Sequence, residues 1–314
     1  MIAKLGRKLL LAIGSLLVVA GIVIVGVCLA FIFADDAVIA DYDELQEEVV
    51  EIVDDVPTVD FEVLEEVEPD AQSWLTIPGF GINYPVYQGD DNEYYLYHSP
   101  TGRLSYTSIF LDHRCTSESQ NSIIYGHTLL NGSMFSPLSK MYRQSNFDDL
   151  SSVWYSTPET GSLPYTPIAA FTVSPNEASI QQFEFDDAAN VDDLKAARLA
   201  EHAANKDITG TYIEGDDSIR IPEGMSIVVS STDYIIDGKP VRVNDYYTLT
   251  DDEVAEIDNA AFGTGFHGWL REICGKATAK SPFYESLISS ASRSLMLICC
   301  SPMDSQRTVL LCVN

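Results

Sequence analysis

Positive charge is what this sequence has least of. Lysine and arginine together number 18 against 47 aspartates and glutamates, for a formal net charge of -29. Nucleic-acid binding needs a basic footprint, and adhesion to anionic lipid needs basic clusters. The composition argues against both, and the acidic excess reads as solubility rather than as a binding code. Cysteine is also sparse. Beyond residue 35 there are five, Cys115, Cys274, Cys299, Cys300 and Cys312, without the density of a disulfide scaffold. That odd number leaves at least one free thiol unless an intermolecular bond forms. Histidine and cysteine lack zinc-ligand spacing, so no metal or other cofactor is expected. There is no internal repeat and no low-complexity tract.

What is present begins with one long uncharged run. Leu9 to Ala34 holds 26 residues without a charge, long enough to span a bilayer as a helix. Lys4, Arg7 and Lys8 precede it and Asp35 and Asp36 follow it. The positive-inside rule puts the N-terminus in the cytoplasm and everything after Asp35 outside. A cleaved signal peptide is the rival reading, but its apolar core is usually only about 7–15 residues. Residues 35–70 are acidic. Within them Leu45, Val49, Ile52 and Val53 recur at helical spacing, which predicts a juxtamembrane helix.

The globular domain is expected over 71–314. Residues 74–79 and 82–87 read as strands divided by Pro78-Gly79. Further strands are expected at 108–111, 121–127, 153–156 and 168–173, with a helix at 133–142. Many short strands with turn residues between them suggest a β-barrel or sandwich. Residues 187–258 differ in character, with a helical stretch at 192–200 and two strands around Asp237-Gly238, a hairpin turn signal. Phe266 to Ile273 reads as an amphipathic helix, with Trp269, Leu270 and Ile273 on one face.

The richest stretch in chemical terms is near the C-terminus. The apolar run Ser294–Cys300 carries a thiol to its end, a short turn follows, and Arg307 heads a second apolar run. Two such runs around a turn read as neighbouring strands, so a thiol and a guanidinium could share a pocket. A cation favours thiolate, and an arginine fork can hold a developing oxyanion. His127, at the end of the apolar stretch 121–127, is the candidate base. A thiol, an imidazole and an arginine form a plausible acyl-transfer set, although 173 residues separate His127 from Cys300. The plain alternative is that these cysteines are buried small hydrophobes. His98, His113, His202 and His267 are read as surface or hydrogen-bonded residues.

With those residues in view, the sequence resembles a class B sortase. The likeness runs through Trp74-Leu75-Thr76-Ile77-Pro78-Gly79, Ile82-Asn83-Tyr84-Pro85-Val86, Asp91-Asn92-Glu93-Tyr94-Tyr95-Leu96, Ser108-Ile109-Phe110-Leu111-Asp112, Ile123-Ile124-Tyr125-Gly126-His127, Asn131-Gly132-Ser133-Met134-Phe135, the Leu-x-Leu-x-x-Cys ending at Cys300, and Arg307. It covers about 70–175 and 262–314 in the same order. The resemblance implies a mainly β fold, an eight-stranded sortase-type β-barrel with flanking helices behind one transmembrane helix, in which 187–258 is an insertion. It implies His127 as catalytic histidine, Cys300 as nucleophile and Arg307 as the oxyanion-side arginine, with Asn92, Leu96 and Tyr125 lining the substrate groove. One departure is that Ile298 and Cys299 precede Cys300 where the family usually has Ser or Thr just before the nucleophile, so Cys299 competes for the assignment.

The activity so implied is that of a membrane-anchored cysteine transpeptidase of a Gram-positive cell surface. It would cleave the C-terminal sorting signal of a surface protein, hold the product as a thioester, and pass it to an amine of a peptidoglycan precursor. A cysteine peptidase that hydrolyses the same thioester is the alternative enzyme. An inactive sortase fold serving as a binding or scaffold protein is the alternative outside catalysis.

Overall fold

The computed structural model describes residues 2–116, 119–175, 177–185, 191–216, 219–262, 265–300 and 306–314. The chain divides into two compact units. One combines the residues up to Phe183 with Lys276–Asn314, and the other is Glu184–Gly275.

The first unit opens with a long helix, α1 (Ile2–Val49). Its stretch from Ile13 is the one helix among the described residues long and apolar enough to cross a membrane, and its apolar part is unburied. Beyond Asp35 the helix changes character. Val38, Tyr42, Leu45 and Val49 recur every three or four residues and all are buried, the stripe of a helix lying on a core. Leu45 and Val49 pack with Leu64 and Trp74. The helix ends at Val49, and β1 (Val50–Val53) pairs antiparallel with β2 (Val56–Val59). Asp54 and Asp55 both take positive φ, 52° and 65°, at the turn between them, as a two-residue hairpin requires. Ile52 and Val53 therefore leave the expected helical stripe and stand 59% and 47% exposed. Their β-branched side chains suit a strand better than a helix. Asp60 then caps α2 (Phe61–Val67), its carboxylate accepting from the Glu62 and Val63 N–H groups at 3.1 Å each.

The barrel begins with β3 (Ala71–Ile77) and β4 (Ile82–Tyr87). Next come α3 (Tyr94–Tyr97), β5 (Ile109–Leu111) and β6 (Asn121–His127). Instead of the expected helix over 133–142 there is a five-residue 3-10 turn, Ser136–Lys140, with Pro137 in its first positions. Then follow α4 (Gln144–Phe147), β7 (Val153–Thr157) and β8 (Gly161–Val173).

The second unit holds α5 (Val191–Asn205), β9 (Gly210–Ile213), β10 (Ser226–Ile236), β11 (Lys239–Thr248), α6 (Asp251–Phe262) and α7 (Gly265–Gly275). Its sheet runs β10-β11-β9. Asp237 and Gly238 make the tight turn of the long hairpin, with φ of 50° and 73°. Leu199, Leu249 and Ile257 form its small core. In α7, Phe266, Trp269, Leu270 and Ile273 are buried, as the amphipathic spacing predicts.

The chain then returns to the first unit with β12 (Ala279–Lys280), α8 (Tyr284–Ser290), β13 (Ser294–Cys300) and β14 (Arg307–Val313). The turn expected between the last two strands falls mostly on residues 301–305, outside the described residues. Strand order is β8-β14-β13-β6-β5-β4-β3-β7, and β7 pairs back onto β8. Eight strands thus close a barrel, with the two-residue β12 on the far side of β8. Closure removes the free edges that an open sheet would leave. Strand β13 is buried along its whole length. It lies between β14 and β6, which explains its uninterrupted apolar sequence.

Candidate active site

The last residues of two barrel strands meet. Strands β6 and β13 are parallel, and their register pairs Tyr125 with Ile298, Gly126 with Cys299 and His127 with Cys300. Strand β14 runs antiparallel on the other side of β13 and pairs Thr308 with Cys299. Arg307 comes one step further along that register, beside Cys300. Residues paired across a sheet share a face, and the face alternates along each strand. Cys300, His127 and Arg307 therefore fall on one side, and Cys299, Gly126 and Thr308 on the other.

The second side is closed by Phe135 and the 3-10 turn. The Cys299 thiol donates to the Phe135 carbonyl at 3.1 Å, and the Thr308 hydroxyl to the Ser139 carbonyl at 2.9 Å. A Cβ on Gly126 would stand 2.6 Å from the Phe135 ring, so only glycine lets that ring sit flat on the strand. Burial raises the Cys299 pKa far above that of a free thiol. The two adjacent cysteines are thus sorted by the pleat: Cys299 is a packed core thiol, and Cys300 shares its face with the imidazole.

His127 is itself buried. Its Nδ1 lies 3.0 Å from the Cys300 carbonyl oxygen and its Nε2 2.8 Å from the Leu96 carbonyl oxygen. Only an imidazolium donates to both carbonyls at once. Burial nevertheless outweighs these contacts and lowers its pKa, and the Arg307 charge pushes in the same direction. Burial raises the Cys300 thiol to about 11, against the pull of Arg307. Burial thus works against the charged form of both groups, while the two carbonyls work for the charged form of the imidazole. The half-buried guanidinium of Arg307 is the charge that acts on the two of them. The Tyr106 ring stands edge-on to the imidazole at 4.9 Å between centroids.

Asn92, Leu96 and Tyr125 lie in two arrangements. Leu96 reaches His127 through its backbone carbonyl. Asn92 and Tyr125 both donate to one oxygen of Asp112, at 2.9 and 3.0 Å. Arg114 grips the same carboxylate with Nε at 2.9 Å and an amino group at 2.8 Å, and its backbone N–H adds a third contact at 3.0 Å. Burial alone would raise the pKa of this enclosed carboxylate, but the Arg114 and Asn92 hydrogen bonds hold it below the ordinary range. The Asn92 side-chain amide oxygen Oδ1 accepts from the His113 backbone N–H. The polar groups of Asn92 and Tyr125 are therefore engaged within the protein, around an anion that ties β5, β6 and the loop before α3 together.

Sequence reasoning did not find Tyr106, Asp112 or Arg114 as site residues. Tyr106 has no local signal. An Asp and an Arg two apart behind an apolar strand could have been read as a bidentate pair. Among the described residues no group of three His, Cys, Asp or Glu side chains could hold a metal ion. All six cysteines are free thiols.

No family model matches the chain. Two curated proteins do over limited stretches. One is sortase B of Listeria monocytogenes, 44% identical over 80 residues, which are 24% of this chain and 32% of that protein. The other is sortase B of Staphylococcus aureus, 34% identical over 96 residues, 28% of this chain and 37% of that protein. The chain thus matches about a third of the length of these relatives. Solved structures align more widely. Staphylococcus aureus sortase B superposes with a TM-score of 0.52 at 17% identity, over 87% of this chain and 96% of that one. A sortase B complexed with triglycine gives 0.53 at 17% identity over 89% and 97%. Sortase B of Bacillus anthracis gives 0.50 at 18% over 90% and 98%. At such identities the likeness is one of fold.

Proposed function

Taking this chain as a class B sortase, in fold and in the segments it shares with curated sortase B proteins, we propose that it is a cysteine transpeptidase of the cell surface, with Cys300 as nucleophile, His127 as proton carrier and Arg307 as oxyanion donor. The observation that carries the reading is the in-register meeting of Cys300 and His127 on one face beside Arg307.

The chemistry starts from the burial of the thiol. With a thiol pKa of about 11, a thiolate would form at neutral pH only about once in ten thousand molecules if the thiol titrated alone. His127 therefore accepts the thiol proton as Sγ attacks a backbone carbonyl carbon of the sorting signal. Arg307 then neutralises the tetrahedral oxyanion. Collapse forms the S–C bond of a thioester and breaks the C–N bond, and imidazolium His127 delivers its proton to the departing amine. An incoming amine then attacks the thioester with His127 as base, which makes an amide and restores the Cys300 thiol. A peptidoglycan precursor is the accepting amine we favour. The Staphylococcus aureus sortase B solved with substrate and the sortase B solved with triglycine support a peptide donor and an amine acceptor for this fold. Asn92, Leu96 and Tyr125 form the wall of the groove, Leu96 by holding the imidazole and the other two through Asp112. The apolar part of α1 serves as the membrane anchor, with the N-terminus inside and the catalytic unit outside.

The test is cleavage of a library of sorting-signal peptides by the chain, with and without added amines. Amide product in the presence of amine is expected. Release of free acid alone would make the protein a peptidase. Cys300→Ala is expected to abolish turnover and labelling by a thiol probe, and Cys299→Ala to keep both. The reverse result would move the nucleophile, and turnover by both variants would remove the proposal.

A further inference from the structure

Two loops flank the imidazole. One runs from His98 to Ser108 and brings Tyr106 against His127. The other follows β6 and includes Leu130 and Asn131. Each is tied to α1 by a hydrogen bond. The Ser105 hydroxyl donates to Asp35 at 2.7 Å, and the Asn131 amide to Asp36 at 2.9 Å. Asp35 and Asp36 are the first charged residues after the uncharged run of α1. A helix rises about 1.5 Å per residue. The rim of the candidate site is therefore fastened within about one turn of the point where the apolar stretch ends.

That rim carries two exposed leucines. Leu104 is 63% exposed and Leu130 90% exposed, and each is the neighbour in sequence of a residue making a tie to α1. On α1 itself Ile32 and Phe33 are 39% and 68% exposed just before Asp35. Scattered exposed leucines need no explanation. Two that each adjoin a tie to Asp35 or Asp36, directly after the apolar stretch of α1, call for one. The carboxylates of these ties accept hydrogen bonds from Ser105 and Asn131, which lowers the cost of holding them at the edge of hydrocarbon.

We propose that this rim is a lipid-docking surface, and that Leu104 and Leu130 enter the interfacial layer of the leaflet that α1 leaves. The occupant is the bilayer that α1 spans, so the inference rests on the reading of α1 as an anchor. The acidic excess of the chain selects zwitterionic headgroups over anionic ones. Docking holds the mouth at His127 and Cys300 flat against the membrane, at the depth where a substrate that is itself membrane-anchored leaves the lipid.

The experiment uses the full chain reconstituted into phosphatidylcholine vesicles with brominated acyl chains, and into the same vesicles without bromine. Leu104→Trp and Leu130→Trp place a reporter at each tip, and Ile52→Trp, exposed on β1, is the distant control. Bromine is expected to quench the added emission at 104 and 130 by about twofold or more, as for a side chain at the headgroup–acyl boundary, and to leave that at 52 unchanged. Sedimentation with the vesicles reads the anchor separately. Chains that co-sediment but show no quenching at 104 and 130 overturn the docking surface and leave the anchor standing. Chains that fail to co-sediment overturn both. Emission that responds to a sorting-signal peptide and not to bromine would assign the rim to substrate and also overturn the proposal. A second variant, Leu104→Ser with Leu130→Ser, is expected to cleave a short soluble peptide at the parent rate but a vesicle-anchored substrate several-fold more slowly. Equal rates on the anchored substrate would refute it.

Discussion

Replacing Gly126 with alanine adds one methyl group at the most crowded point behind the candidate site. The new Cβ would lie 2.6 Å from Cδ2 and 2.7 Å from Cγ of Phe135, about an ångström inside ordinary carbon contact. Phe135 is fully buried, so its ring has no solvent to retreat into. Overpacking of this kind costs about 1–3 kcal/mol, which for a unit of this size lowers Tm by roughly 4–8 °C if the cost is near 2 kcal/mol. The Phe135 backbone is also part of the frame: its N–H donates to the His127 carbonyl at 2.9 Å, and its carbonyl accepts from Cys299 at 3.1 Å. A ring pushed outward therefore drags both strand ends. A displacement approaching 1 Å is enough to cost about a hundredfold in rate where reacting groups must be aligned. Differential scanning calorimetry and single-turnover acylation by a sorting-signal peptide measure the two effects. Trimming the ring with Phe135→Leu in the Gly126→Ala background is expected to recover part of both. An alanine variant with unchanged Tm and unchanged acylation would show that the contact yields freely and that Phe135 does not position the pair.

Arg307→Ala is expected to reduce acylation by about 10²–10³, the loss of one oxyanion donor, and Arg307→Lys to recover only part, because a point charge lacks the guanidinium fork. A rate unchanged in Arg307→Ala assayed with saturating peptide would leave the arginine without a role in the transition state. Asp112→Asn keeps the shape of the buried carboxylate but removes its charge from Arg114, Asn92 and Tyr125. The Arg114 side chain is 41% exposed, so solvent screens the pair, and the loss is expected to be about 1–3 kcal/mol at neutral pH, the cost of weakening hydrogen bonds to one buried carboxylate. Because the folded-state pKa of Asp112 is lowered, its contribution is complete above the ordinary carboxylate range and is lost as pH falls through the folded value. The gap in Tm between parent and variant is thus expected to close on acidification below about pH 4. A gap independent of pH would show that packing rather than charge is responsible.

The parts of the fold with a strong local period were legible. The strand at 121–127, the apolar run to Cys300 and the amphipathic stretch at 266–273 lie where their patterns put them. The Asp237-Gly238 turn was legible too, because only a few residues accept its backbone angles. The end of α1 was not, since Ile52 and Val53 continue a helical spacing while their branching favours a strand. Cys299 and Cys300 could not be separated by composition, as both are small, apolar and adjacent. The pleat separates them, and it needs only the register with β6. Asp112 was harder still: its partners come from residues 92, 114 and 125, and nothing in a linear pattern announces a shared anion.

The parallel seam between β6 and β13 has a consequence for how the protein comes into being. The strand that carries His127 forms its bond to the strand of Cys300 across 173 residues of sequence, and the last two strands fill the place between β8 and β6. Contacts that distant are slow to form and late to be rewarded. A chain interrupted anywhere before residue 294 holds an imidazole with no thiol beside it, inside a wall that is still open. The candidate site is therefore assembled only when the C-terminal strands join β6 and β8.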